Sequence, residues 1–361
     1  MIMSTQEVVL VTGSAGYLGT ALVQAIDTEY QVVGFDRQRP GAQPPQADFI
    51  ECDLTKDESV RDALSSLRQR HGPRIASCVH LAAHYDFSGE PSPLYETLTV
   101  DGTRRMLRGL QDFAVQQFVF SSTHIVMKPS EEGEVITESS PVEPAWAYPK
   151  SKLAAEKVIR EQRGSIPAVI LRLAGVYDAE TRTVPIAQQM QRIYEKQLES
   201  YFFPGDATHG QAFVHLDDTV ACVRKAIERR RQLGPYEVFL VAEPEVMSYA
   251  ELQERLGELI HGEEWPTIRI PKAVAKAGAW VQEKLAGEDE TFIKPWMIDL
   301  ADDNYPLAID HARRTLGWTA EHRLRTTLPE MVSRMKRDPE AWYRTNKLGT
   351  PESLPKSRPS R

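Results

Sequence analysis

Val8-Val-Leu-Val-Thr-Gly-Ser-Ala-Gly-Tyr-Leu-Gly19 opens with four apolar, mostly β-branched residues and closes on three glycines. Val8–Val11 reads as a buried strand, and a helical stretch follows from Tyr17 to Thr28. Between them Gly13, Gly16 and Gly19 permit a tight turn and let the backbone approach a pyrophosphate with no Cβ in the way. The helix N-terminus then offers free N–H groups and a partial positive charge to that anion. A glycine triplet alone is weak, but strand before and helix after make this a dinucleotide-binding turn.

The same rhythm continues outward. Gln31–Phe35 and Asp48–Glu51 are strand-like, as are Ile75–Leu81, Gln117–Ser121 and Ala168–Leu171, and helical segments separate most of them. Alternation of this kind predicts βαβ units and a parallel sheet covered on both faces. The fold expected is therefore α/β, a Rossmann-type doubly wound parallel sheet over residues 6–175. A smaller, mostly helical substrate lobe interleaved with late strands is expected over 176–335. Within it Thr183–Lys196 and Asp217–Arg231 read as helices around a short apolar run, Phe213–His215. Ser248 with Glu251 forms a capping-box pattern opening a helix to Ile260. Pro271, Pro295 and Pro306 punctuate a last, largely helical stretch, and 348–361 reads as a flexible tail.

Composition narrows the function. The chain has 361 residues, 43 Lys+Arg against 51 Asp+Glu and a net charge of −8. A phosphate backbone demands a basic surface, so no nucleic-acid partner is expected. Met1–Glu7 lacks the features of a secretory signal, and no apolar run reaches membrane-spanning length. No membrane partner is expected, and the location expected is cytoplasmic. Cys52, Cys78 and Cys222 lie far apart with no CxxC pair, which fits buried free thiols. His209, His261 and His311 show no ligand spacing, so no metal is expected.

Two groups carry the chemistry. Asp36 ends the second strand, where a carboxylate accepts the ribose hydroxyls of an adenosine and repels a 2′-phosphate. NAD is therefore expected as cofactor, although Arg37 and Arg39 lie beside it. Tyr148-Pro149-Lys150-Ser151-Lys152 enters a helix with Tyr148 and Lys152 on one face. A lysine ammonium there would lower the phenol's pKa and let Tyr148 exchange a proton with a substrate hydroxyl or carbonyl. Lys152 can also hydrogen-bond the nicotinamide ribose.

Over residues 6–335 the chain resembles the extended short-chain dehydrogenases/reductases, the NAD-dependent epimerase/dehydratase family. TGSAGYLG (12–19) is similar to its phosphate loop and GFD (34–36) to its ribose acid. CDL (52–54) matches its adenine contact and HLAA (80–83) the segment under the nicotinamide. FVFSST (118–123) and YPKSK (148–152) carry its catalytic groups, and LRLAGVY (171–177), FVHLDD (213–218) and ARRTLGW (312–318) its later signatures. The resemblance implies Thr123, Tyr148 and Lys152 as catalytic residues. It implies cofactor contacts from Gly13, Gly16, Tyr17, Leu18, Gly19, Asp36, Arg37, Asp53 and Leu54. Leu81, Ala82, Ala83, Ser121, Ser122, Tyr148, Lys152, Ala174 and Val176 complete that set. A homodimer through helices near 93–112 and 149–163 is implied as well.

Departures bear on the substrate. Where the family's sugar-nucleotide dehydratases place Asp-Glu after the threonine, this chain has His124-Ile125. Gly175 and Gln211 stand where its epimerases usually carry Asn and Arg toward a diphosphate, and Thr99 replaces a frequent Asn. The substrate expected is thus not a nucleotide diphospho-sugar, although Arg182 and Arg192 lie where they could compensate. His84, Tyr85, His124, Gly175 and Gln211 are the candidate substrate residues. The function expected is NAD-dependent hydride transfer to or from a secondary alcohol or ketone, with Tyr148 as acid/base. A nucleotide-sugar epimerase with tightly bound NAD and a non-catalytic NAD-sensing or scaffold protein are the alternatives.

Overall fold

A computed structural model describes residues 6–41, 44, 47–87, 89–278 and 295–351. Met1–Thr5, part of the segment read for a leader, lie outside the described residues. So do 279–294 of the late helical stretch and the expected tail beyond residue 351.

Seven parallel strands form the central sheet. They are β1 (Val8–Thr12), β2 (Gln31–Asp36), β3 (Asp48–Glu51), β4 (Ser77–His80), β5 (Phe118–Thr123), β6 (Ala168–Leu173) and β9 (Tyr236–Val241). Their order is β9-β6-β5-β4-β1-β2-β3, so the chain reverses its direction of travel between β1 and β4. At such a switch point the strand ends leave a crevice, the place where this architecture binds ligands. The expected Ile75–Leu81 strand is divided, because Arg74–Ile75 pairs with Ala114–Val115 outside the sheet and only Ser77–His80 enters it.

Every residue of β1 and β5 is buried, and the period-two alternation of a strand splits them between two cores. Val9, Val11, Val32, Val79 and Val119 face one side. There they meet Leu22 and Ile26 of α1 (Tyr17–Ile26) and Val223 and Ile227 of α6 (Leu216–Glu228). Leu10, Val33, Cys78 and Phe118 face the other, against α2 (Asp57–His71), α3 (Asp101–Leu110) and α4 (Ala147–Gln162). Each of these larger apolar side chains contributes roughly 1.5–3 kcal/mol by leaving water. All three cysteines are free and buried.

Beyond β6, β7 (Gly175–Tyr177) pairs with β8 (Phe213–His215). A third core lies around α5 (Val184–Tyr194), α7 (Tyr249–His261) and α8 (Leu324–Arg337), built on Met190, Leu256, Leu328 and Met331. Ser248 caps α7 by accepting from the Glu251 amide at 3.1 Å. The Glu251 carboxylate turns to Arg325 instead, so half of the expected capping box is used. Among the described residues, no helix is long and apolar enough to cross a membrane.

Candidate active site

The glycine turn is shaped by close backbone approach. Gly13 has φ +73°, and a Cβ there would sit 2.8 Å from the Ala82 nitrogen. A Cβ on Gly19 would meet the Gly13 carbonyl oxygen at 2.1 Å. Only glycine fits either place, and the cradle beneath the first turn of α1 stays open for a pyrophosphate. Asp36 Oδ2 accepts from the Ala15 amide at 3.0 Å, which ties the ribose-acid position to the loop. The residues present therefore fit a dinucleotide. Arg37 is exposed, and Arg39 stacks over Phe49 at 5.5 Å. The Asp53 carboxylate is occupied by the Thr55 amide and hydroxyl at 3.0 and 2.7 Å, while Leu54 is buried in the core.

Strand β5 delivers Ser121, Ser122 and Thr123, and the first two turns of α4 deliver Tyr148 and Lys152 beside them. Thr123 lies beside the Tyr148 phenol. Lys152 is buried, and its Nζ donates to the Ser121 carbonyl at 2.6 Å while lying 5.9 Å from the Tyr148 ring centroid. Here the structure corrects the sequence. Burial pushes the Tyr148 pKa up, and Thr123, not Lys152, is the group that draws it down. The Lys152 pKa itself falls to about 7, because desolvation outweighs the attraction of Glu156. Ser122 is turned to Glu156 Oε1 at 2.5 Å. Beneath them His80 bridges Thr12 at 2.7 Å and Thr103 at 3.0 Å, and burial lowers its pKa to about 3.

A cavity of about 570 Å³ collects most of the sequence-predicted residues. Tyr17, Leu18, Leu81, Ala83, Ser121, Ser122, Thr123, Tyr148, Lys152, Ala174 and Val176 line it on the cofactor side. Tyr85, His124, Gly175 and Gln211 line its other part. His84 does not, which corrects the expectation for it. Its ring meets Tyr95 edge-to-face at 4.7 Å, and its amide donates to Thr99 at 3.0 Å. Both partners belong to a π-helical turn, Tyr95–Val100, that leads into α3. His124 is buried with Nδ1 3.1 Å from the Leu173 carbonyl and Nε2 3.4 Å from Gln211 Oε1, and burial lowers its pKa to about 4. It is a neutral imidazole at physiological pH. Gly175 makes room for Phe213, whose Cδ1 would lie 2.8 Å from an added Cβ.

The sequence reading missed the aromatic wall. Trp146 lies 5.5 Å from Tyr148, 5.7 Å from Phe87 and 5.3 Å from Trp296 between ring centroids. Trp146 stands two residues before Tyr148, a signal that was available, whereas Phe87 and Trp296 arrive from distant segments. Phe203, Phe213, Tyr249 and Tyr305 extend the lining. Arg182 and Arg192 also border the cavity, so cationic groups reach it from elsewhere than position 211. Outside the cavity, His215, Asp217 and His322 bring possible ligand atoms within 4.8 Å of one another, which spacing did not reveal. In the structure His215 Nδ1 accepts the Asp217 amide at the start of α6, and its ring stacks on His322 at 4.1 Å.

The model of the NAD dependent epimerase/dehydratase family matches residues 9–242. Short-chain dehydrogenase/reductase family 42E member 1 of Macaca fascicularis is 27% identical over 305 residues, 78% of this chain and 74% of that protein. The 3 beta-hydroxysteroid dehydrogenase/Delta 5-->4-isomerase of Mycobacterium tuberculosis H37Rv is 25% identical over 356 residues, 90% of each chain. The structure of a Thermotoga maritima UDP-glucose 4-epimerase with UDP-glucose shares the fold. It has a TM-score of 0.68 and 21% identity, covering 92% of this chain and 100% of that one.

Proposed function

The chain belongs to the NAD dependent epimerase/dehydratase family, and on that premise we propose that it oxidises a bulky, apolar secondary alcohol, or reduces the matching ketone, with net turnover of NAD. The observation that carries this reading is the opening of the Thr123, Tyr148 and Lys152 cluster into a cavity walled by Trp146, Trp296, Phe87 and Phe213. Hydrophobic walls of this kind hold a large ligand by area burial and leave a few polar groups to orient it.

When bound, NAD supplies the hydride acceptor or donor and, in its oxidised form, a positive nicotinamide ring. The protein's residues supply the rest. Tyr148 exchanges the proton of the reacting oxygen, and Thr123 hydrogen-bonds that oxygen beside the phenol. Lys152, anchored on Ser121, places an ammonium at the ribose and beside the phenol. Because burial holds the phenol protonated, Tyr148 is ready to donate in the direction of ketone reduction. The first turn of α1 and Asp36 would hold the pyrophosphate and adenine ribose, while the aromatic wall would exclude water from the reacting carbon.

A nucleotide-sugar epimerase is the second reading, favoured by the two guanidinium groups of Arg182 and Arg192 on the cavity wall. Homodimerisation through α3 and α4 belongs to the proposal by family resemblance, and a cytoplasmic location by the three free, buried cysteines, which suit a reducing compartment.

Replacing Tyr148 by Phe removes only the ionisable hydroxyl. Turnover is expected to fall on the order of 10²-fold or more, with NAD affinity unchanged. Wild-type turnover in Tyr148→Phe would contradict the proposal and direct attention to His124.

A further inference from the structure

The face of α5 turned toward the cavity carries Pro185, Gln188, Gln189 and Arg192, spaced three and four residues apart as one helical stripe requires. Gln189 is engaged, since its Nε2 donates to Gln253 Oε1 at 3.2 Å, and Gln253 in turn donates to the Ser200 carbonyl at 2.7 Å. Gln188, only 8% exposed, and Arg192 have no hydrogen-bond or ion-pair partner among the described residues. Glu199 on the same wall attracts the Arg192 guanidinium, yet burial still holds its pKa below the usual range. Arg192 is half-buried, and a guanidinium without a hydrogen-bonded anion is a group that a ligand anion can pair.

The other cavity arginine is committed. Arg182 lies over the Tyr17 ring at 5.2 Å and 3.7 Å from Asp178 Oδ2. Among the described residues, one available cation beside one available amide suits a single planar carboxylate, and a diphosphate needs more positive charge than these groups offer. The cavity lining also includes the apolar side chains of Ile193, Phe202, Phe203 and Phe213.

We propose that the substrate is an amphipathic hydroxy acid. Its secondary alcohol lies at Tyr148 and Thr123, its hydrocarbon body lies along the aromatic wall, and its remote carboxylate is held by Arg192 and Gln188. The proposal rests on the hydride-transfer reading for the alcohol end only. The carboxylate end stands on the geometry of α5.

The test uses lithocholate and 12-hydroxystearate, each beside its methyl ester, with the NAD-loaded full chain. Binding is read by thermal shift and NADH formation by absorbance. At least one acid is expected to bind roughly 10- to 100-fold tighter than its ester, the scale of one charge-assisted contact. Arg192→Met is expected to erase that difference and Arg192→Lys to keep part of it, with the NAD-induced thermal shift retained as the check on folding. Acids that bind no tighter than their esters, no binding by any of the four, or a preference that survives Arg192→Met would each overturn the inference. The two readings fail separately. Equal oxidation of acid and ester with NADH formation refutes the carboxylate site alone. Arg192-dependent binding of an acid with no NADH refutes the hydride reading alone.

Discussion

Glu156 lies one helical turn beyond Lys152 on α4 and receives two hydrogen bonds from Arg172 of β6, Nε to Oε1 at 3.1 Å and Nη2 to Oε2 at 2.7 Å. Both side chains are buried, at 3% and 5% exposure. The same carboxylate accepts from Ser122 and attracts the Lys152 ammonium. The ion pair therefore fixes β6 to the helix that carries Tyr148, and the Ser122 hydrogen bond ties in β5, the strand that carries Thr123.

Breaking this pair from one side should be severe. Glu156→Ala leaves a buried guanidinium uncompensated, and urea denaturation should show a loss of about 3–5 kcal/mol. Glu156→Leu combined with Arg172→Met should recover a large part of that loss, because no buried charge remains unpaired. A double variant as unstable as the sum of the single ones would show that the pair acts through something other than mutual compensation.

Asp36 should set the cofactor. With its carboxylate held by the Ala15 amide, where it would meet the adenine ribose, calorimetry should show NAD binding at least tenfold tighter than NADP. Asp36→Ala should weaken NAD and narrow the preference. Tighter binding of NADP by the wild-type protein would contradict this and make Arg37 the phosphate partner.

Glu243 predicts a pH dependence of stability. It is 5% exposed and accepts from the Tyr177 hydroxyl at 2.7 Å and the Leu324 amide at 2.9 Å. Burial still raises its pKa from 4.5 to about 7. The folded state then holds a proton between pH 4.5 and 7 that the unfolded state has released. The stability it contributes is full below pH 4.5 and is lost as pH rises toward 7. Relative to Glu243→Gln, the wild-type protein should lose roughly 2–3 kcal/mol between pH 5 and pH 7.5. Parallel pH profiles of the two proteins would refute the shift.

Much of the architecture was readable because it is written locally. The apolar runs at Val8, Gln31 and Ala168 are buried on both faces, so they are continuous and conspicuous. The glycine turn is legible because a Cβ at Gly13 or Gly19 has no room. The cluster of Thr123, Tyr148 and Lys152 was legible through spacing and resemblance. Spacing placed Lys152 and Tyr148 on one helical face but carried no information on burial, and burial reverses the direction of the tyrosine's pKa. The aromatic wall was not legible either, since Phe87, Trp146 and Trp296 meet only after the chain folds. His84 misled for a related reason. Its position after HLAA suggested the substrate, yet its ring packs edge-to-face on Tyr95 of the π-helical turn and it does not line the cavity.

The most direct measurement is the fate of a deuterium placed on the carbinol carbon of a bulky, apolar secondary alcohol incubated with the protein and free NAD. Net hydride transfer predicts one deuterium on the reduced cofactor for each ketone formed, abolished in Tyr148→Phe. Deuterium retained in an alcohol of inverted configuration, with turnover that needs no added NAD, would contradict it and establish epimerisation instead.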